Sequence, residues 1–116
     1  MKTAVAYIRV STAKQVDKFG LDAQKEMILK YATEHDIEIK AWYIEKAESG
    51  AKDHRPEMDK LLYQDAVNPP VEAVLVAKWD RVARDVTLYY AYKYQFKRKN
   101  IELLSVSEDF SDMGPY

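Results

Sequence analysis

The fold is decided near the start of the chain, by Ala4-Val5-Ala6-Tyr7-Ile8-Arg9-Val10-Ser11-Thr12. The first five of these residues are apolar and rich in strand formers, and they predict a buried β-strand over residues 3–9. Residues two apart in a strand point to the same side, so Arg9 and Ser11 face one spot if the extended geometry continues. Open α/β sheets bind ligands just outside the carboxyl ends of their strands. Ser11 is therefore a candidate nucleophile for a phosphorus or acyl centre, with Arg9 as a fixed positive charge beside it.

Downstream of this strand, helical and strand patterns alternate. The apolar spacing predicts a helix over residues 21–35, a strand over 37–44, a helix that begins at Pro56, a strand over 71–77, a helix from 81 or 82 to 99, and a strand over 101–106. Such alternation predicts a three-layer α/β domain, a mostly parallel sheet of four to five strands with helices on both faces, as in flavodoxin-like folds. We expect the first and third strands to be neighbours in this sheet.

The composition narrows the class of protein. A length of 116 residues with 47% hydrophobic content fits one globular domain. The absence of cysteine excludes disulfides and thiolate catalysis, and the sequence shows no signal peptide or membrane segment, so we expect a cytoplasmic protein. A net charge of −1 lacks the basic surplus of a self-sufficient nucleic-acid binder. No Walker-type or Rossmann glycine pattern supports a nucleotide cofactor, and His35 and His54 are too far apart to suggest a metal site.

A second polar cluster, Asp80-Arg81-Val82-Ala83-Arg84, follows the third predicted strand. Asp80 is a plausible cap for the next helix, and Arg81 and Arg84 are three residues apart, which makes them neighbours on one helical face. The alternative is an exposed Asp80–Arg84 ion pair of the kind common on helices. Because the first and third strands are expected to be neighbours, both clusters emerge at one edge of the sheet, which favours an anion site.

Three further features bear on this edge. Gln24 lies on the predicted inward face of the first helix, with Leu21, Met27, Ile28 and Tyr31. A buried glutamine there either orients a loop or contacts a substrate. Arg55 precedes the Pro56 helix and follows a Ser49-Gly50 turn signal. The aromatic residues of the third helix suggest base stacking at first sight, but helical spacing favours packing for Tyr89, Tyr90 and Phe96.

These motifs resemble, in order along the chain, the catalytic domain of the serine recombinases, the resolvase and invertase family. The matching segments are Tyr7-x-Arg9-Val10-Ser11-Thr12, Leu21-Asp22-x-Gln24, Ser49-Gly50 with Arg55-Pro56 and Leu61-Leu62, and Asp80-Arg81-x-x-Arg84. They resemble the family's nucleophile motif, its first-helix glutamine, its mobile loop with the second helix, and its aspartate–arginine–arginine signature. The long interval between Ser11 and Gln24 is similar to that of the large serine recombinases, the integrases and transposon-borne enzymes.

The resemblance implies site-specific cleavage and rejoining of double-stranded DNA by transesterification, through a 5′-phosphoserine intermediate, without ATP, a metal or another cofactor. It implies catalytic roles for Ser11, Arg9, Arg81, Arg84 and Asp80, and substrate contacts by Tyr7, Gln24 and Arg55. Asp80 would either orient an arginine, which we favour, or act as a general acid toward the leaving 3′ oxygen. The full-length protein is expected to work as a dimer or tetramer.

The end of the chain departs from the family pattern. Phe110-Ser111-Asp112-Met113-Gly114 is only a partial match to a Ser/Thr-rich Met-Gly stretch, and the family's long dimerisation helix and DNA-binding domain do not follow. We therefore interpret residues 1–116 as an N-terminal catalytic domain and expect the isolated chain to bind DNA weakly and not to recombine it. The alternatives are a non-catalytic resolvase-like regulatory or dimerisation module, and an unrelated flavodoxin-like phosphohydrolase or ligand binder.

Overall fold

The structure, a computed structural model, describes residues 2–11, 20–47, 56–65, 71–78 and 86–107. Its elements in chain order are β1 (Lys2–Ser11), α1 (Leu21–Glu34), β2 (Ile37–Ala47), α2 (Pro56–Lys60) with a following π-helical turn (Leu61–Asp65), β3 (Ala73–Val76), α3 (Val86–Lys97) and β4 (Glu102–Ser105). The predicted alternation of strands and helices is confirmed, and α2 begins at Pro56 as predicted, because proline lacks the N–H that a first helical residue does not need.

The four described strands form one parallel sheet in the order β2-β1-β3-β4. The predicted adjacency of the first and third strands is confirmed by pairing of Ala4 with Ala73 and of Ala6 with Leu75. β1 extends to Ser11, two residues beyond the predicted end, because β2 continues beside it as far as Ala47. The carboxyl ends of β1 and β3 therefore lie at the same edge of the sheet.

Helices cover both faces of the sheet, as predicted. On one face, α2, the π-helical turn and α3 pack on β1 and β3 through a core that includes Tyr7, Met58, Leu61, Leu62, Tyr89 and Phe96. On the other face, α1 packs on Ala4, Ala6 and Ile8 through Ile28 and Ala32. The burial of Tyr89 and Phe96 agrees with the prediction that these rings pack within the domain. Leu21 differs from its predicted inward position: it is 36% exposed because it begins α1, before the helix passes over the sheet.

An irregularity in β2 changes which of its residues face each layer. The register with β1 passes from Ala4–Ile39 to Ala6–Trp42, so two residues of β2, Lys40 and Ala41, stand opposite one residue of β1. Before this bulge, odd-numbered residues such as Ile39 pack toward α1; after it, even-numbered residues such as Trp42 do so. Side chains alternate along a strand, so the bulge turns Tyr43 and Glu45 toward α2.

Among the described residues, none of the helices is long and apolar enough to span a membrane.

Candidate active site at the carboxyl edge of the sheet

The backbone of Ser11 lies at the end of β1, paired with Ala47 of β2. β3, the other neighbour of β1, ends at Val76, and the chain continues from there through Ala77 and Lys78 toward Asp80 and Arg81. Neighbouring strands of a sheet lie about 4.8 Å apart. The described chain therefore leaves β3, through Ala77 and Lys78, at the edge of the sheet where β1 ends at Ser11, and Asp80 and Arg81 follow it in the sequence.

Arg9 lies two residues before Ser11 on β1 and pairs in register with Glu45 of β2. Residues opposite each other in adjacent strands project on the same side of the sheet, so Arg9 and Glu45 share one face. That side is the face covered by α2, since Tyr7 packs there with Met58. The Arg9 side chain is partly exposed, whereas Tyr7 is fully buried.

Glu45 is the central polar residue of this region, and the sequence did not single it out. Its side chain is only 2% exposed. Its Oε1 accepts hydrogen bonds from the Tyr7 hydroxyl (3.1 Å) and the Met58 amide (3.1 Å), and its Oε2 accepts one from the Glu57 amide (3.3 Å). The first amides of a helix have no partners within the helix and favour negative charge. Glu45 thus caps α2 from a neighbouring strand and joins it to β1.

Gln24 supports the same strand from the opposite face. It is fully buried in α1, and its Nε2 donates a hydrogen bond to the backbone carbonyl of Arg9 at 3.1 Å. The amide therefore holds the backbone of β1 two residues before Ser11. Gln24 and Glu45 therefore hold β1 from the two sides of the sheet, Gln24 through the Arg9 carbonyl and Glu45 through the Tyr7 hydroxyl.

The ends of β3 and β4 are also tied together. The Ser107 hydroxyl donates to the Ala77 carbonyl at 2.6 Å, and the Ser107 amide donates to the same oxygen at 3.2 Å. The Val106 amide donates to the Val76 carbonyl at 2.8 Å. Ser107 thus serves as a structural link between the ends of β3 and β4, and it has no arginine near it in sequence.

The remaining predicted site residues, Arg55, Asp80, Arg81 and Arg84, lie outside the described residues, as does His54. Within the described ranges, no group of three or more His, Asp or Glu side chains could hold a metal ion. The exposed His35 stacks on the ring of Tyr31 with 3.9 Å between centroids, at the far end of α1 from Gln24.

Residues 4–116 match the family model described as the resolvase N-terminal domain. The chain belongs to the resolvase family. The match covers almost the whole chain of this resolvase domain and includes every predicted site residue. A comparison with curated protein sequences gives no match.

Solved structures agree with this assignment. The resolvase domain is 34% identical to the N-terminal catalytic domain of TP901-1 integrase, with a TM-score of 0.73 over 95% of this chain and 82% of that one. It is 25% identical to a resolvase family site-specific recombinase from Streptococcus pneumoniae, with a TM-score of 0.76 over 92% and 73% of the two chains. The C-terminal catalytic domain of ISC1926 TnpA, an IS607-like serine recombinase, shares the fold at 22% identity, with a TM-score of 0.72 over 96% and 74%.

The predicted family, fold and function are therefore confirmed. The domain is a serine recombinase catalytic domain, of the class that cleaves and rejoins DNA, and its similarity to an integrase is compatible with the large serine type.

Proposed function

We propose that Ser11 is the nucleophile with which this domain cleaves a double-stranded recombination site. Its Oγ attacks a DNA phosphorus, the P–O3′ bond breaks, the serine proton is lost, and the departing 3′ oxygen gains a proton. One phosphodiester is exchanged for another, so the bond energy is retained in the 5′-phosphoserine link. The 3′ hydroxyl of an exchanged strand then reverses the step and releases Ser11, which requires neither ATP nor a cofactor.

The observation that carries this proposal is the course of β1. It stays extended through Arg9 to Ser11, and it lies between β2 and the strand that leads into Asp80-Arg81-x-x-Arg84. Phosphoryl transfer depends mainly on positioning and on stabilising charge on the phosphoryl oxygens. Ser11 at the end of β1, with Arg9 on the same strand and two arginines following β3 in the sequence, is suited to both requirements.

Within this proposal, the arginines share the charge on the phosphate. Arg9 lies two residues before Ser11 on β1, and Arg81 and Arg84 follow β3 in the sequence. Guanidinium groups suit this role because they are permanently charged and match phosphate oxygens with paired donors. Asp80 orients one of them, and Arg55, directly before α2, binds the same phosphate.

Tyr7 and Gln24 take part in this proposal through the contacts they already make. The Tyr7 hydroxyl donates to Glu45, and the Gln24 amide donates to Arg9. Both hold the strand that presents Ser11 to DNA. Cleavage of both strands at a duplex site requires more than one copy of Ser11, so we propose that the full-length protein acts as a dimer or tetramer.

The test is a chimera in which this domain replaces the catalytic domain of TP901-1 integrase, assayed on the DNA on which that integrase acts. We expect the chimera to form a protein–DNA adduct that survives denaturing electrophoresis. Ser11→Ala should abolish the adduct while DNA binding persists. Ser107→Ala is the matched control, because it removes a hydroxyl from the same edge of the sheet and should leave the adduct. An Ser11→Ala chimera that forms as much adduct as the parent would refute the proposal.

A further inference from the structure

We propose that Lys46 is a DNA-binding residue: its ammonium group contacts a backbone phosphate close to the one that Ser11 attacks. The inference rests on the proposed function and deepens it, since it gives the DNA near the cleaved bond a further point of contact at the end of β2. The arginines proposed to bind the attacked phosphate lie elsewhere, on β1, before α2 and after β3.

Lys46 lies at the carboxyl edge of the sheet, beside the strand that carries Ser11. It pairs in register with Val10, and the next pair is Ala47 with Ser11. Adjacent strands are about 4.8 Å apart and a strand rises about 3.3 Å per residue, so the backbones of Lys46 and Ser11 are about 6 Å apart. Phosphates of one DNA strand recur about every 3.4 Å along the helix axis. A flexible lysine side chain anchored here therefore reaches a phosphate near the one at Ser11.

The bulge in β2 determines the face of the sheet on which Lys46 lies. After the bulge, even-numbered residues such as Ile44 pack toward α1, and Val10, the partner of Lys46, belongs to the same layer. Side chains alternate along a strand, so Lys46 projects on the α1 side. Arg9 projects on the α2 side. The two cations therefore lie on opposite faces at the end of the sheet, which suits them to different phosphates.

The ammonium group of Lys46 is available to a ligand. Lys46 is exposed and makes no hydrogen bond, ion pair or ring contact with any of the described residues. Two other lysines have carboxylate partners: Lys2 pairs with Glu102 at 3.1 Å, and Lys40 pairs with Glu38 at 3.4 Å. Binding of a phosphate by Lys46 therefore breaks no ion pair within the described ranges. It also releases counterions from the DNA, and this release supplies much of the affinity of such contacts.

The alternative role for Lys46 is protection of a free strand edge. β2 is an outer strand of the described sheet, and lysines on outer strands prevent pairing with other chains. Lys40 suits that role equally well, but it lies six residues earlier on β2, about 20 Å from Lys46. Only Lys46 of the two is unpaired and next to the end of β1. Lys40→Gln is therefore the matched control, an exposed lysine of the same strand that is remote from Ser11.

The first measurement is the salt dependence of DNA binding by the chimera, on the DNA on which TP901-1 integrase acts. Every chimera here also carries Ser11→Ala, so that binding is measured without cleavage. Each phosphate contact adds about 0.9 to the slope of log K against log salt concentration. We expect Lys46→Gln to reduce this slope by about 0.9 per bound subunit and to weaken binding about three- to tenfold per subunit at about 0.1 M salt. Lys40→Gln and Lys46→Arg should keep the parent slope, since the first is remote and the second keeps the charge.

The second measurement locates the phosphate that Lys46 contacts. Single phosphates that flank the cleaved bond are replaced in turn by uncharged methylphosphonates. We expect one position at which the replacement weakens binding by the parent about three- to tenfold but does not weaken binding by Lys46→Gln further. The Lys40→Gln chimera should respond as the parent does. A salt slope unchanged by Lys46→Gln, or a replacement series that affects the parent and Lys46→Gln equally at every position, would overturn the proposal and leave Lys46 with the edge-protecting role.

Failure of the proposed function gives a different result. In that case the adduct survives Ser11→Ala, whereas the salt slope and the methylphosphonate series still report whether Lys46 binds DNA. Loss of folding does not confuse the two, because substitution of an exposed lysine should change the melting temperature by less than about 2 °C. A slope that Lys40→Gln reduces as much as Lys46→Gln would also contradict the proposal, since it would show a general effect of net charge.

Discussion

Replacing Tyr7 with phenylalanine tests how strongly the site strand is tied to the helix beside it. The tyrosine ring is fully buried between β1 and the layer of α2 and α3, so the phenylalanine ring occupies the same space and creates almost no cavity. The change removes the hydroxyl that donates to Glu45 at 3.1 Å. Glu45 then keeps only its bonds to the Glu57 and Met58 amides.

The expected loss follows from the charge and burial of the acceptor. A hydrogen bond to a charged group contributes about 1.5–3 kcal/mol, and the accepting Glu45 side chain is only 2% exposed. Unfolding entropy scales with length at about 2.1 cal/mol/K per residue, so a chain of this size loses about 4 °C in Tm for each kcal/mol. We therefore expect the free energy of unfolding to fall by about 1.5–3 kcal/mol and Tm by about 6–12 °C.

Calorimetry and urea unfolding at neutral pH measure these quantities. Tyr94→Phe is the matched control, since Tyr94 is 63% exposed on α3 and its substitution should change Tm by less than about 2 °C. A Tyr7→Phe chain as stable as the parent would show that the bond between Tyr7 and Glu45 adds nothing to the link between β1 and α2.

Three further perturbations test other parts of the account. Asp80→Asn should slow the cleavage of an ordinary phosphodiester and of a 3′-phosphorothiolate by the same factor, because an orienting carboxylate does not protonate the leaving group. The rate of adduct formation measures both reactions. If the sulfur leaving group restores the rate of the variant, Asp80 is instead the general acid. Gln24→Leu should lower the free energy of unfolding, measured by urea titration, by about 1–3 kcal/mol, since the buried amide donates to the Arg9 carbonyl. It should also lower the rate of adduct formation. If both the free energy of unfolding and this rate are unchanged, Gln24 does not support the site. Burial lowers the pKa of Lys93 below its ordinary value of 10.5, against the attraction of Glu102. The loss of stability from burying the charged Lys93 is therefore full at low pH and disappears as the pH rises toward 10.5. Lys93→Met should flatten the rise in the free energy of unfolding between the lowered pKa and 10.5. An unchanged pH dependence of the unfolding free energy would contradict a lowered pKa for Lys93.

Most of the fold could be predicted from apolar patterns. A nearly continuous apolar run such as that around β3 is typical of a strand inside the sheet, and β3 lies between β1 and β4. The proline at residue 56 marked the start of α2, and Met58, Leu61 and Leu62, which follow it at helical spacing, are buried. These features depend on local sequence and on burial, which periodicity reports directly.

Glu45 was missed because its burial depends on a bulge in another part of β2. An acidic residue near the end of a predicted strand is normally exposed, and only the two-to-one register at Lys40 and Ala41 turns this one toward α2. A signal does exist in the sequence: the apolar positions change from odd to even numbers between Ile39 and Trp42. A change of parity inside one strand predicts a bulge. The hydrogen-bond donors to the Glu45 carboxylate, by contrast, depend on how α2 packs against β1. The apolar pattern of β2 contains no information about that packing.

The most direct test of the central claim locates the covalent bond between protein and DNA. Trypsin cleaves after Arg9 and Lys14, so the adduct of the chimera, treated with nuclease and then trypsin, should yield the peptide of residues 10–14 carrying a 5′ nucleotide. This peptide contains two hydroxyl residues, Ser11 and Thr12, which fragmentation in the mass spectrometer distinguishes. The account predicts the nucleotide phosphate on Ser11. A phosphate on Thr12, or on a peptide from another part of the chain such as that containing Ser107, would contradict it.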